Sequence, residues 1–166
     1  AKIREATAKT DIEFALTQSG ELYAVMEGRA LCSKRQPIDE ARTWAEQYDP
    51  QTCGFVGVLG FGVGHHLRAL YENHQGFSVL LCFEPDLGLL RAVFERIDHS
   101  EWIQQSIFLL ATDSRDASTL TQLLNQSEAF VATGVELAPH PPSKKRLEGT
   151  ADEFSRTLLD VVRSTR

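Results

Sequence analysis

Two apolar runs of five residues, Phe55 to Leu59 and Val79 to Phe83, constrain the fold of this chain more than anything else in it. Neither alternates polar with apolar side chains, and each is too short for an ordinary helix. A segment apolar on both of its faces belongs to a parallel strand covered by helices on each side. Between the runs stand Gly60-Phe61-Gly62-Val63-Gly64 and then the helical run Leu67 to Tyr71. Strand, glycine turn, helix and strand, in that order, make a βαβ unit whose turn aims backbone N–H groups at a phosphate, carboxylate or ribose. The order predicts a fold and locates a pocket. It assigns no reaction.

The second run ends at Glu84-Pro85-Asp86, and Glu84 follows Gly60 by 24 positions (84 − 60). A nucleotide-binding βαβ unit places an acid about 20 positions on, where its carboxylate accepts both ribose hydroxyls. Gly60, Gly62, Gly64 and Glu84 are therefore the leading candidate cofactor-binding residues. A dinucleotide turn carries glycine at its first, third and sixth positions, the last for close packing of helix on strand. His65 fills the sixth position here, which argues against nicotinamide and flavin cofactors. The G-x-G-x-G spacing is similar instead to the first motif of class I methyltransferases, which bind S-adenosylmethionine at the same point of a related sheet. Those enzymes carry an acid two places before the first glycine. Val58 stands there in this chain, and the amino-acid end of that cofactor loses its customary contact. The same residues admit a reading without any ligand, in which three glycines make a tight strand-to-helix turn and Glu84 caps the helix that begins near Asp86.

The remaining strands follow from the same alternation. A helix carrying Leu87, Leu90 and Phe94 leads to a third strand over Ile107 to Ala111; Thr112-Asp113-Ser114 then caps a helix that runs to about Leu124, and Ala129 to Thr133 makes a fourth strand. Strands alternating with helices at this spacing imply right-handed crossovers and a mainly parallel sheet, a Rossmann-like α/β fold with helices on both faces. Ligands of such sheets gather at the carboxyl ends of the strands, which adds Asp113 to the candidate pocket beside its role as a cap.

Ahead of this unit, Phe14 to Thr17 and Glu21 to Met26, hinged at Ser19-Gly20 with a further turn at Glu27-Gly28, read as a β-hairpin or small meander. Pro37 suits the first turn of a helix whose stripe is Ala41, Trp44, Ala45 and Tyr48. Residues 1–50 are thus expected to form a small hairpin-and-helix cap, and residues 51–149 the Rossmann-like domain. Residues 150–166 open on Thr150-Ala151-Asp152-Glu153, a capping box, and carry the stripe Phe154, Leu158, Val161 and Val162. A helix running to the last residue predicts a piece of a longer protein with a further domain beyond it.

Composition excludes several classes. With 42% hydrophobic and 24% charged residues the chain is ordinary globular material. Seventeen basic against 23 acidic residues give a net charge of −6, and the single dense basic run is Lys144-Lys145-Arg146, read as a solvated loop. No nucleic-acid partner is expected on that charge. Cys32, Cys53 and Cys82 show no C-x-x-C spacing and are expected to be free thiols in a cytoplasmic protein. No apolar stretch approaches the roughly 18 residues of a membrane span, and the polar start Ala1 to Thr10 lacks the centre of a signal peptide.

Outside the glycine turn the chemistry is sparse. His65 and His66 are adjacent, not spaced by four, so they do not share a helix face as a zinc pair does. Packing or capping is the expected role, with phosphate binding or proton transfer as the alternative. No G-x-S-x-G elbow, phosphate-binding G-x-x-x-x-G-K-[ST] loop or placeable carboxylate pair occurs, and no catalytic or metal-binding residue is assigned. His140-Pro141-Pro142 reads as a rigid loop leading away from the sheet.

Three segments resemble the amino-terminal part of the motility-associated factor proteins, bacterial glycosyltransferases linked to flagellin modification. They are Ser33-Lys34-Arg35-Gln36-Pro37-Ile38-Asp39-Glu40-Ala41, Gly60 through Leu67, and Phe83-Glu84-Pro85-Asp86. The resemblance covers roughly Leu22 to Phe94. It implies that the sugar-transferring site, which uses a nucleotide-activated nonulosonic acid, belongs to a later domain and that this chain is the preceding Rossmann-like one. It also implies flagellin or other glycosylation components as partners. The ligand expected at Gly60, Gly62, Gly64 and Glu84 is of nucleotide type, S-adenosylmethionine or a nucleotide sugar, and the domain is expected to act by positioning or partner binding; the alternatives are an S-adenosylmethionine-dependent methyltransferase and a non-catalytic protein-interaction module.

Overall fold

The computed structural model describes residues 2–8 and 11–165. Expectations that rest on Ala1, Lys9, Thr10 or Arg166, the ends of the polar start and of the last helix, lie outside the described residues.

Helix α1 (Lys2–Glu5) precedes a three-stranded antiparallel sheet of β1 (Ile12–Leu16), β2 (Leu22–Met26) and β3 (Arg29–Ala30). The hairpin pairs Leu16 with Leu22 across a turn in which Gly20 takes φ +85°, as its sequence required. Helix α2 (Pro37–Ala45) follows with Pro37 in its first turn and Ala41, Trp44 and Ala45 buried. The second half of the chain runs β4 (Phe55–Leu59), α3 (His65–His74), β5 (Val79–Phe83), α4 (Leu87–Arg96), α5 (Ser100–Gln105) and β6 (Ile107–Ala111). It continues through α6 (Ala117–Gln126), α7 (Glu128–Thr133), β7 (Val135–Pro139), a 3-10 turn (Pro141–Ser143) and α8 (Glu148–Ser164).

The four strands β6-β5-β4-β7 are parallel throughout, the 3-2-1-4 portion of the 3-2-1-4-5-6 order of doubly wound sheets. The unalternated runs are explained by two cores, because side chains of one strand point alternately to opposite faces. Val56, Val58, Leu80 and Cys82 share one core with α2 to α5, through Trp44, Leu67, Leu70, Leu90 and Trp102, and with the small sheet, through Ala24 and Met26. Phe55, Val79, Leu81 and Phe83 meet α6 and α8 through Leu120, Leu124, Phe154 and Leu158. Each fully buried Leu or Phe contributes roughly 1.5–3 kcal/mol. The fold is the Rossmann-like α/β class expected, preceded by a small antiparallel sheet and a helix.

Four local expectations are corrected. Ala129 to Thr133 is not the fourth strand; it lies in α7, and β7 begins beyond Gly134. A short apolar run is ambiguous between helix and strand, and here Gly134, at φ +143°, ends the helix and turns the chain into the sheet. Thr150-Ala151-Asp152-Glu153 is not a capping box, because α8 starts earlier; Thr150 Oγ1 donates to the Leu147 carbonyl, and Glu153 binds Ser114 and Arg115. His140-Pro141-Pro142 does not lead away from the sheet. Its 3-10 turn folds back so that Ser143 lies against Gly60. Lastly, Arg146 is not part of a solvated run: its side chain is only 16% exposed.

Candidate functional site

The glycine turn sits where the sequence predicted, between the end of β4 and the start of α3. Gly60, Gly62 and Gly64 take φ of +109°, +53° and +88°, a region that side chains with a Cβ seldom enter. Close packing reinforces the requirement. A Cβ on Gly60 would collide with Ser143, one on Gly62 would reach 3.0 Å from His140 Cε1, and one on Gly64 would reach 2.6 Å from His99 Nε2. The faces of the turn are thus covered by the protein's own side chains.

Glu84 closes the end of β5 and is 0% exposed. Its Oε1 accepts from the Phe61 N–H at 3.1 Å and from Arg146 Nη2 at 2.7 Å; its Oε2 accepts from Arg146 Nη1 at 2.8 Å and from the Asp86 N–H at 3.2 Å. A carboxylate offers about four acceptor sites, so these donors take all of them. Burial alone would lower the Arg146 guanidinium, but the Glu84 carboxylate overrides it and holds it above its ordinary value. The pair is bidentate, the geometry that matches a planar guanidinium to a carboxylate. Glu84 does not cap α4; Asp86 does, accepting from the Leu89 N–H at 3.0 Å.

Gly60 and Glu84 are brought together through Phe61. Asp113 is exposed beyond β6, where its Oδ1 accepts from the Arg115 N–H at 3.0 Å, and it bonds to neither of them. Nor does Asp113 cap α6. Asp116 does, accepting from the Thr119 N–H at 3.0 Å. In this arrangement the residues do not fit S-adenosylmethionine, since Glu84 has no oxygen left for a ribose and the apolar Val58 side chain has no carboxylate for an amino group.

The cleft at this end of the sheet is lined by Val63 of the turn and not by its glycines or Glu84. It holds 290 Å³ and is bounded by α2 (Glu40, Trp44), the start of α3 (His65, His66) and the loop after β7 (His140, Pro141). His66 and His140 stack at 3.6 Å with ring planes 6° apart, and Trp44 stands edge-on to both. His66 Nε2–H donates to the Gly60 carbonyl at 2.8 Å, and His140 Nδ1 pairs with Ser143 Oγ at 2.7 Å. Burial pushes His66 down to about 3 and His140 well below the usual histidine range. Both rings are neutral near pH 7. His65 is also lowered by burial, against the Leu22 carbonyl it bonds at 2.7 Å.

Sequence reasoning reached the turn and Glu84 but missed Arg146, His140, Ser143 and Trp44 as their neighbours. Trp44 had a signal, its place on the buried stripe of α2. The other three come from the loop after β7, which no periodicity marks. Reactive groups are few: burial drives the Cys32 thiol up to about 11 and raises Cys53 and Cys82, so none is a ready thiolate. All three cysteines are free and buried. Among the described residues, no group of three or more His, Cys, Asp and Glu is placed to hold a metal ion. No helix among them is long and apolar enough to cross a membrane.

Fold and site together define a Rossmann-like α/β domain. No family model matches the chain, and no curated protein matches it. Among solved structures, one described as MNMC2 from Aquifex aeolicus is similar over 70% of this chain and 48% of its own, at 16% identity and a TM-score of 0.40. The chain spans about half the length of that structure. So distant a likeness carries no argument about ligand or reaction, and the fold class stands on the strand order and parallel pairing.

Proposed function

We propose that this chain is the methyltransferase-like Rossmann domain of a bacterial glycosyltransferase of the motility-associated factor type, serving to position a ligand or a glycosylation partner such as flagellin and carrying no catalysis of its own. The family reading rests on the resemblance over Ser33 to Ala41, Gly60 to Leu67 and Phe83 to Asp86. The non-catalytic reading is carried by the Arg146 clamp, which occupies every acceptor position of Glu84. Calorimetry on the isolated chain with S-adenosylmethionine and S-adenosylhomocysteine is expected to give no binding heat, and the chain to transfer neither methyl group nor sugar. Binding heat or turnover of either kind would overturn the proposal.

An S-adenosylmethionine-dependent methyltransferase is the second reading. It is favoured by one specific observation, a G-x-G-x-G turn after β4 with an acid at the end of the neighbouring β5. It requires Arg146 to leave Glu84. Cofactor binding by both the wild type and Arg146→Ala would support it, and silence from both would remove it.

A further inference from the structure

We propose that the cleft between Trp44 and the His66–His140 stack binds a neutral planar heterocycle of nucleobase type, gripping an N–H and a neighbouring C=O on one edge. The inference rests on the reading of the chain as a binding domain and names the ligand class of that domain.

Topology comes first. From β4 the chain winds outward through β5 and β6 and then crosses back to place β7 on the other side of β4. The crevice beyond the carboxyl ends of β4 and β7 is therefore the point where the winding reverses, the place where open α/β sheets bind ligands. Val63, His65 and His66 follow β4, while His140, Pro141 and Pro142 follow β7, and these are the residues that meet across the cleft.

The hydrogen-bonding character of its wall follows from the surrounding network. The Gly60 carbonyl can only accept, so His66 carries its proton on Nε2 and leaves Nδ1 an acceptor. Ser143 Oγ accepts from Arg146 Nη2 at 3.4 Å, and among the described residues the acceptor that its own proton reaches is His140 Nδ1. That assignment puts the ring proton of His140 on Nε2, a donor. Neither His66 Nδ1 nor His140 Nε2 bonds to a described residue, although the two residues are only 3% and 5% exposed. Neither atom is sealed in, because Arg146 Nε is the one fully enclosed side-chain nitrogen or oxygen without a partner among the described residues. The wall thus offers one acceptor and one donor on stacked rings, an unmet pair that matches an N–H beside a C=O.

Size and charge narrow the class. A cleft of 290 Å³ lies at the lower edge of small-ligand pockets, roughly 300–1,000 Å³, and suits a single ring system. Trp44 and the three prolines Pro37, Pro141 and Pro142 give it apolar walls. Among the described residues no Lys or Arg lines it, and Glu40 does, so a phosphate is disfavoured and a neutral ring is preferred.

The test uses uridine, N3-methyluridine and uridine monophosphate as probes on the full chain with 15N-labelled histidines. Uridine is expected to shift the His66 Nδ1 and His140 Nε2 resonances, and methylation at N3, which removes the N–H, to weaken binding about tenfold or more, about 1.4 kcal/mol. The monophosphate should bind no tighter than uridine. His140→Phe keeps a ring for the stack but lacks the donor, and should weaken uridine by a similar factor. Uridine that leaves both histidine resonances in place, or N3-methyluridine that binds equally well, overturns the proposal. If uridine and S-adenosylmethionine are both silent, this inference fails and the positioning reading stands; if S-adenosylmethionine binds, the positioning reading is the one that fails.

Discussion

At the scale of single residues the decisive contact is Arg146 with Glu84. A buried ion pair contributes little by its presence, because desolvation offsets the attraction, but removing one partner strands the other charge. Arg146→Ala is therefore expected to destabilise the chain by ~3–5 kcal/mol in urea unfolding. Adding Glu84→Gln should recover part of that loss, since the amide oxygen still accepts from the Phe61 N–H while the stranded charge is gone. A double variant as unstable as the single one would show that the lost packing of the arginine stem dominates. The glycines and Glu84 were legible in sequence because local chemistry dictates them: a tight turn needs positive φ, and an acid at the end of a second strand has a known spacing. Their neighbours were not. Arg146 lies 62 residues beyond Glu84, and within a Lys-Lys-Arg run nothing local distinguishes the one side chain that turns inward.

At the scale of elements, caps and turns set the boundaries that residue type alone leaves open. Asp113 and Asp116 both precede α6, and both fit a cap by residue type. The structure gives the role to Asp116, whose carboxylate receives the Thr119 N–H and the Thr119 hydroxyl, the latter at 2.6 Å. Asp116→Ala should cost about 1 kcal/mol, as lost N-caps do, while Asp113→Ala, at an exposed turn, should stay within ~0.5 kcal/mol of wild type. Thermal or urea midpoints of the two variants check this, and a larger loss at Asp113 would reverse the assignment. The fourth strand was displaced from Ala129–Thr133 to Val135–Pro139 for a similar reason: both stretches are short and apolar, and the left-handed Gly134 between them sets the boundary. Trp44 shows tertiary context binding elements together, its indole N–H reaching the Pro139 carbonyl at 2.8 Å to tie α2 to the end of β7.

At the scale of the whole molecule, a set of neutral histidines makes the fold sensitive to acid. His66 is lowered to about 3 and His99 to about 4, both chiefly by burial, and His140 lies well below its ordinary value for the same reason. His99 shows why the neutral form is needed: its Nε2–H donates to the Val63 carbonyl while its Nδ1 accepts from the Trp102 indole, each at 2.8 Å. Folded values below the unfolded value of about 6.5 mean that the unfolded chain takes up protons the native chain refuses. Stability from these groups is fully present above about pH 6.5 and falls as the pH drops towards the folded values, at ~1.4 kcal/mol per pH unit for each proton. Urea midpoints measured from pH 7 downward should decline steeply below pH ~6, and His99→Gln should flatten the slope by one proton. A midpoint unchanged down to pH ~5 would contradict the buried, neutral histidines. The sequence alone determined the parallel βαβ core, the hairpin before it and the glycine turn, because apolar runs, periodicity and positive φ are local properties of the chain. What the pocket can accept was decided only in the tertiary structure. Arg146 closes Glu84, and His140 meets His66 across the cleft, through contacts between segments far apart in sequence that no local pattern records.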